Sequence, residues 1–166
     1  MEVRSIEILI RALNEADVKY LIVGGLAVNA YGYERMTHDV DMVIGLEREN
    51  IIKGLHALLE AGYQMAIPIT PEEFAETGLR EVWRAEKNMI VLKMWSDQHR
   101  RTPVDIFVYE PFDFDQEFEK ARRETVFGSV TVPIVSYETL LTMKRESGRA
   151  RDLLDIQELR KLDPYR

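Results

Sequence analysis

Leu21-Ile-Val-Gly-Gly-Leu26 and Thr37-His-Asp-Val-Asp-Met-Val-Ile44 decide how this chain is read. The first is a short apolar run stopped by two glycines. The second is an apolar run that carries two acids two positions apart. Successive side chains of a strand point to opposite faces. Asp39 and Asp41 therefore share one face, while Val40 and Met42 share the other. The spacing predicts a strand over residues 20–23, a tight turn at Gly24 and Gly25, a helix over 26–31 that begins at these glycines and a second strand over 40–44. Glycines at such a junction let backbone approach a ligand closely, and the helix start favours a phosphate.

Two ionised carboxylates side by side repel each other, and at least one pKa rises unless positive charge compensates. A divalent cation compensates directly, and oxygen-rich carboxylate sites suit Mg²⁺ or Mn²⁺. The plain alternative is a pair of aspartates at an exposed strand end, a position that suits Asp better than a strand interior. A third acid bears on the choice. Asp105 sits inside Val104-Asp-Ile-Phe-Val108. An acid in so apolar a run must face solvent, a partner or a metal, because burying it unpaired is costly. If its strand lies beside the Val40 strand, the three acids meet. If not, Asp105 is a solvent-facing residue of an edge strand.

Further out, apolar periodicity predicts helices over residues 5–16 and 47–60, the second stopped by Gly62. Thr70 before Pro71 reads as an N-cap with proline at the first helical position. Strands are expected over 64–67, 89–95 and 103–109, with Arg100-Arg-Thr102 turning between the last two. A helix over 115–123 and a small hairpin over 126–132, turning at Gly128, come next. Ser136 caps a helix over 137–146, Gly148 breaks it, and a last helix covers 150–161. The chain is thus read as α/β (α+β), a mixed β-sheet flanked by helices with a helical C-terminus. Its 166 residues suit a single domain spanning 1–166.

Composition narrows the functional classes. An apolar share of 46% is that of an ordinary globular protein. No apolar stretch is long enough to cross a bilayer, so no membrane role is expected. Residues 1–5 lack the basic-then-apolar pattern of a secretory signal, and a cytoplasmic location is the simple reading. The chain has no cysteine, which excludes disulfides and thiolate chemistry. A net charge of −7 disfavours long nucleic acid as a partner. His38, His56 and His99 are scattered and lack a second ligand at zinc spacing, so structural or surface roles are expected. Met36, Met42, Met89 and Met94 read as core filler.

Taken together, these pieces resemble the nucleotidyltransferase superfamily that includes DNA polymerase beta, kanamycin nucleotidyltransferase and the small minimal nucleotidyltransferases. That pattern is an apolar residue, Gly, then Gly or Ser, a spacer, and then Asp, apolar, Asp or Glu, apolar. Here it is Val23-Gly24-Gly25, a thirteen-residue spacer over 26–38, and Asp39-Val40-Asp41-Met42. The third acid of the family lies on a later strand, which matches Asp105. The tail, through Lys144, Gly148-Arg149, Arg151-Asp152 and Asp155-Ile156, resembles minimal nucleotidyltransferases of the abortive-infection and toxin–antitoxin type. One departure is Gly25, where many members have a Ser whose hydroxyl touches the triphosphate.

The resemblance implies a nucleotidyltransferase fold. It implies Mg²⁺ (or Mn²⁺) held by Asp39, Asp41 and Asp105 against a nucleoside triphosphate such as ATP. Asp105 would accept the proton of a hydroxyl acceptor, which could be a small molecule, a tRNA end or a protein side chain. Gly24, Gly25 and Thr37 would meet the phosphates, and Lys144, Arg35 and Arg149 would neutralise the pyrophosphate. Two other functions stay open at the sequence level. One is an interaction module that keeps the fold, binds a partner protein and has little catalysis. The other is a Mg²⁺-dependent phosphohydrolase.

Overall fold

A computed structural model of the chain describes residues 1–162. In chain order its elements are α1 (Val3–Glu15), β1 (Tyr20–Ile22), α2 (Gly24–Ala30), β2 (Val40–Ile44), α3 (Arg48–Glu60), β3 (Gln64–Met65), α4 (Pro71–Ala75), α5 (Thr77–Lys87), β4 (Val91–Trp95), β5 (Val104–Phe107), α6 (Phe114–Lys120), β6 (Arg122–Val126), β7 (Val130–Ile134), α7 (Tyr137–Ser147) and α8 (Ala150–Leu162). The strands form one sheet in the order β3-β4-β5-β2-β1-β7-β6. β1 pairs β7 and β2 pairs β5 in parallel, and the other neighbours are antiparallel. The sheet is therefore mixed, as expected. No helix among the described residues is long and apolar enough to cross a membrane.

Alternation along the central strands builds the core. Val40, Met42, Leu92, Met94, Val104 and Ile106 are all wholly buried. They stand on one side of β2, β4 and β5, because their Cα positions are paired across the sheet. Leu9, Ile10 and Leu13 of α1 and Ile51, Leu55 and Leu58 of α3 join the same core cluster. The other side of β2, β4 and β5 carries Asp41, Lys93 and Asp105.

Helix α2 opens at Gly24, so it starts at the glycines as the sequence suggests and both lie in its first turn. Several other boundaries differ from the sequence expectation, each for a local reason. Helix α5 was not expected at all. It has no side-chain cap, includes Gly78 and buries only Arg80, so it leaves little apolar pattern to find. It stops at Asn88, which takes a left-handed conformation at φ 50. Helix α6 ends at Lys120, and Arg122 and Arg123 open β6 instead of extending the helix. The hairpin does turn at Gly128, at φ +80, but its strands reach further on both sides. Met36 is 74% exposed and is not core filler, whereas Met42 and Met94 are wholly buried. Thr70 caps α4 through a reciprocal capping box with Glu73.

One buried amide ties the far end of the β1–β2 pair to α3. Asn50 is 6% exposed. Its Oδ1 accepts from the Lys19 N–H at 2.8 Å, and its Nδ2 donates to the carbonyls of Lys19 and Gly45 at 2.9 and 2.8 Å. Removing the amide leaves buried backbone groups unpaired. Asn50→Ala is expected to lower unfolding free energy by roughly 2–4 kcal/mol, read as a lower urea midpoint at unchanged slope. An unchanged midpoint would show that water replaces the amide without loss.

Candidate active site

Asp41 lies within β2, and its Cα partner across the parallel β2–β5 pair is Asp105. Directly paired residues share a face, so the two carboxylates stand together on the side opposite the core. Asp39 precedes the strand by one residue and leans on the same place electrostatically. Crowding pushes the Asp41 pKa up to about 6. Burial is the largest cause, followed by the negative charges of Asp105 and Asp39. A hydrogen bond from the Gly25 backbone and the positive charge of Lys144 oppose the rise without cancelling it.

The β1–α2 turn closes over these acids. Gly24 has φ +63, in the left-handed region that favours glycine, and a Cβ there would come within 2.1 Å of Asp41 Oδ2. A Cβ on Gly25 would come within 2.3 Å of Thr37 Oγ1. Both glycines are thus needed for close approach, one against an acid and one against Thr37. Across the sheet, Lys93 of β4 is the Cα partner of Asp105. Its Nζ donates to Asp105 Oδ1 and Oδ2 at 3.2 and 3.0 Å. The Lys93 side chain is 64% exposed while that of Asp105 is 11% exposed. Hydrogen bonding to Asp105 raises the Lys93 pKa. Among the described residues, no group of three or more His, Cys, Asp or Glu side chains stands in metal-ligating geometry. The three acids share a region, but Asp105 turns both oxygens toward Lys93.

The three cations expected to meet phosphate are brought together, though each already has a partner. Lys144, 5% exposed, bridges Asp152 Oδ1 at 2.9 Å and Asp155 Oδ2 at 2.8 Å. Arg35 grips both oxygens of Asp155 at 2.6 and 2.8 Å. Arg149 donates to Asp152 Oδ2 at 2.7 Å, with its side chain 75% exposed. Burial favours the neutral form of Asp152, but hydrogen bonds from Arg149, Lys144 and Ser147 outweigh it and hold the pKa at about 2. Arg35 brings this cluster beside the glycine turn and the acids, its Nη1 lying within 3.2 Å of where a Cβ on Gly25 would stand. The loop before β2 is fastened to the same cluster. Asn29 bonds the N–H and carbonyl of Arg35, and Arg151 of α8 donates to the Met36 carbonyl.

Sequence reading missed Lys93 and Asn29 entirely. It named Asp152 and Asp155 only as part of the tail. Strict alternation through Leu92, Lys93 and Met94 was a usable signal for Lys93. Asn29 and the Arg35–Asp155 pair offered none, because their partners lie 6 residues away in a loop or 120 residues away in the chain. Of the histidines, His38 and His56 are exposed. His99 is buried between Ser5 Oγ at 2.9 Å and the Ala61 carbonyl at 3.2 Å.

No protein-family model matches the chain, and no curated protein matches it in sequence. Solved structures do match in fold. A lincosamide antibiotic adenylyltransferase, LnuA, determined with lincomycin bound, superposes with a TM-score of 0.62 at 14% identity, covering 98% of each chain. The antibiotic-resistance factor ANT(2'')-Ia gives 0.60 at 12% identity, over 96% of this chain and 82% of its own. JHP933 from Helicobacter pylori gives 0.53 at 18% identity, over 97% and 68%. Likeness over nearly the full length, together with the glycine turn, the acidic strand and the helical tail, establishes that this chain has the nucleotidyltransferase fold.

Proposed function

We propose that the protein is a divalent-metal-dependent nucleotidyltransferase that moves a nucleoside monophosphate from a nucleoside triphosphate to a hydroxyl of a small-molecule acceptor, releasing pyrophosphate. The observation that carries the reading is the setting of Asp41 against Asp105 and the Gly24 turn, which the raised Asp41 titration registers. A purely structural domain gains nothing from crowding acids at a turn that only glycine can make. The donor chemistry suits a hard cation, since carboxylate oxygens suit Mg²⁺ and Mn²⁺, and the three side chains would have to turn toward it from their present geometry. Asp39, Asp41 and Asp105 would hold it. When bound, the metal would offset their repulsion and polarise the reacting phosphate oxygens.

The chain's own residues have distinct tasks in this reading. The acceptor oxygen attacks the α-phosphorus, the bond from that phosphorus to the bridging oxygen breaks, and pyrophosphate leaves. Asp105 takes the proton of the acceptor hydroxyl. Gly24 and Gly25 keep the turn low enough for the triphosphate to reach the acids, with Thr37 at its edge. Arg149, largely exposed, is free to turn from Asp152 to the pyrophosphate. Lys144 and Arg35 are held in place by the buried acids that balance them. A small acceptor agrees with the −7 charge and with the antibiotic adenylyltransferase among the fold neighbours. A cytoplasmic setting, where nucleoside triphosphates are available, completes the proposal.

Incubation with α-labelled nucleoside triphosphates, Mg²⁺ or Mn²⁺ and a small-molecule cell fraction is expected to give a labelled acceptor and pyrophosphate. Asp105→Asn should slow labelling by roughly 10²–10⁴-fold, and Asp41→Asn should reduce it to background. Release of phosphate in place of pyrophosphate would favour hydrolysis, and capture of a partner protein without any labelling would favour an interaction module.

A second prediction concerns stability. Folded Asp41 titrates near 6, above its ordinary value of 3.8, so folding favours its neutral form. That contribution is complete below pH 3.8 and is lost as pH rises through 6. In metal-free protein, Asp41→Asn should therefore stabilise by roughly 3 kcal/mol at pH 7.5 and by well under 1 kcal/mol near pH 4. Thermal melts at the two pH values test this. A gain of equal size at both would mean that packing, not charge, is responsible.

A further inference from the structure

The Lys93–Asp105 pair shares one feature with Arg149–Asp152 and differs in it from the buried Lys144 and Arg35 pairs. Its acid is nearly buried and its base is mostly in water, with side chains 11% and 64% exposed. The two residues are also locked opposite each other by the β4–β5 register. The ammonium is therefore delivered to Asp105 by the strand register. The cations on the other side of the acids are tied differently. Lys144 spans two buried carboxylates, and Arg35 grips one of them with two nitrogens.

We propose that Lys93 is the resident counter-cation of Asp105 and competes with divalent metal for that carboxylate. The inference rests on the metal-dependent reading given above and adds a residue to it. Both Asp105 oxygens lie within 3.2 Å of one ammonium. A second cation on the same oxygens would meet like-charge repulsion across a few ångströms. Metal therefore takes Asp105 only as Lys93 leaves. Departure is easy, because the Lys93 chain already lies largely in solvent and needs no new cavity. Lys93 is a positioning residue here. It neutralises Asp105 in the metal-free protein and vacates that oxygen pair on loading.

The test measures Mn²⁺ binding to full-length, nucleotide-free protein by electron paramagnetic resonance of the free ion. Lys93→Met is expected to bind Mn²⁺ about fivefold more tightly than wild type, the scale set by losing one partly exposed ion pair. Lys93→Arg keeps a cation at the position and should stay near wild type. Asp105→Asn should weaken binding, and adding Lys93→Met to it should then change nothing. Unchanged or weaker binding in Lys93→Met, with Asp41→Asn still abolishing binding, would overturn the proposal and leave the metal reading intact. If neither wild type nor Lys93→Met binds Mn²⁺, both fail. A circular-dichroism melt confirms that each variant is folded; position 93 is exposed, so substitution there should not disturb the core.

Discussion

Electrostatic repulsion between acids that the sheet forces together is the constraint on which the rest of the site depends. The parallel pairing of β2 with β5 sets Asp41 against Asp105, and the entry of β2 adds Asp39. No side-chain choice in either strand can relax this, because the register is fixed by wholly buried neighbours. Val40, Met42, Val104 and Ile106 occupy the alternate positions, and a one-residue slip would turn them to water. The hydrophobic core thus holds three like charges in place against their mutual repulsion.

Positive charge answers that repulsion at two levels. Lys93 reaches Asp105 directly from the neighbouring strand, from a mostly hydrated position. On the other side, Arg35, Lys144 and Arg149 gather around Asp152 and Asp155. Three cations against two acids leave a positive remainder facing Asp41. The buried members cannot leave without stranding a charge in the interior, which is strongly destabilising. The exposed Arg149 and Lys93 can. The fixed pair is balanced by Asp152 and Asp155, so the net positive charge of the cluster is that of exposed Arg149, which with Lys93 gives the site two adjustable contacts. Asn29, which clasps the Arg35 backbone, and Arg151, which reaches the Met36 carbonyl, extend the fixed part into the loop before β2.

Much of this was legible in the sequence where the signal was local. The glycine pair, the Asp39–Asp41 alternation and the apolar setting of Asp105 each have a period or a composition that a strand imposes. Ser136 and Thr70 announced their helices by capping chemistry. Elements without such a signal were lost. Helix α5 buries little and has no cap, and β6 begins at two arginines that read as the end of a helix. Met36 carried an apolar side chain into a loop whose position is set by polar contacts to α8, so its hydrophobicity misled.

The sequence by itself determined that a mixed set of strands and helices forms, that a glycine turn precedes paired acids, and that the chain's charge and composition suit a small anionic ligand with its own cation better than a long polyanion. These follow from periodicity, backbone freedom and net charge, which are properties of neighbouring residues. Only the tertiary structure decided that β5 lies beside β2, that Lys93 takes both oxygens of Asp105, and that the tail cations are already engaged by Asp152 and Asp155. The strand pairings and the Arg35–Asp155 contact join residues far apart in the chain or in different strands. Such pairings are chosen by the packing of the whole core, and no local pattern encodes them.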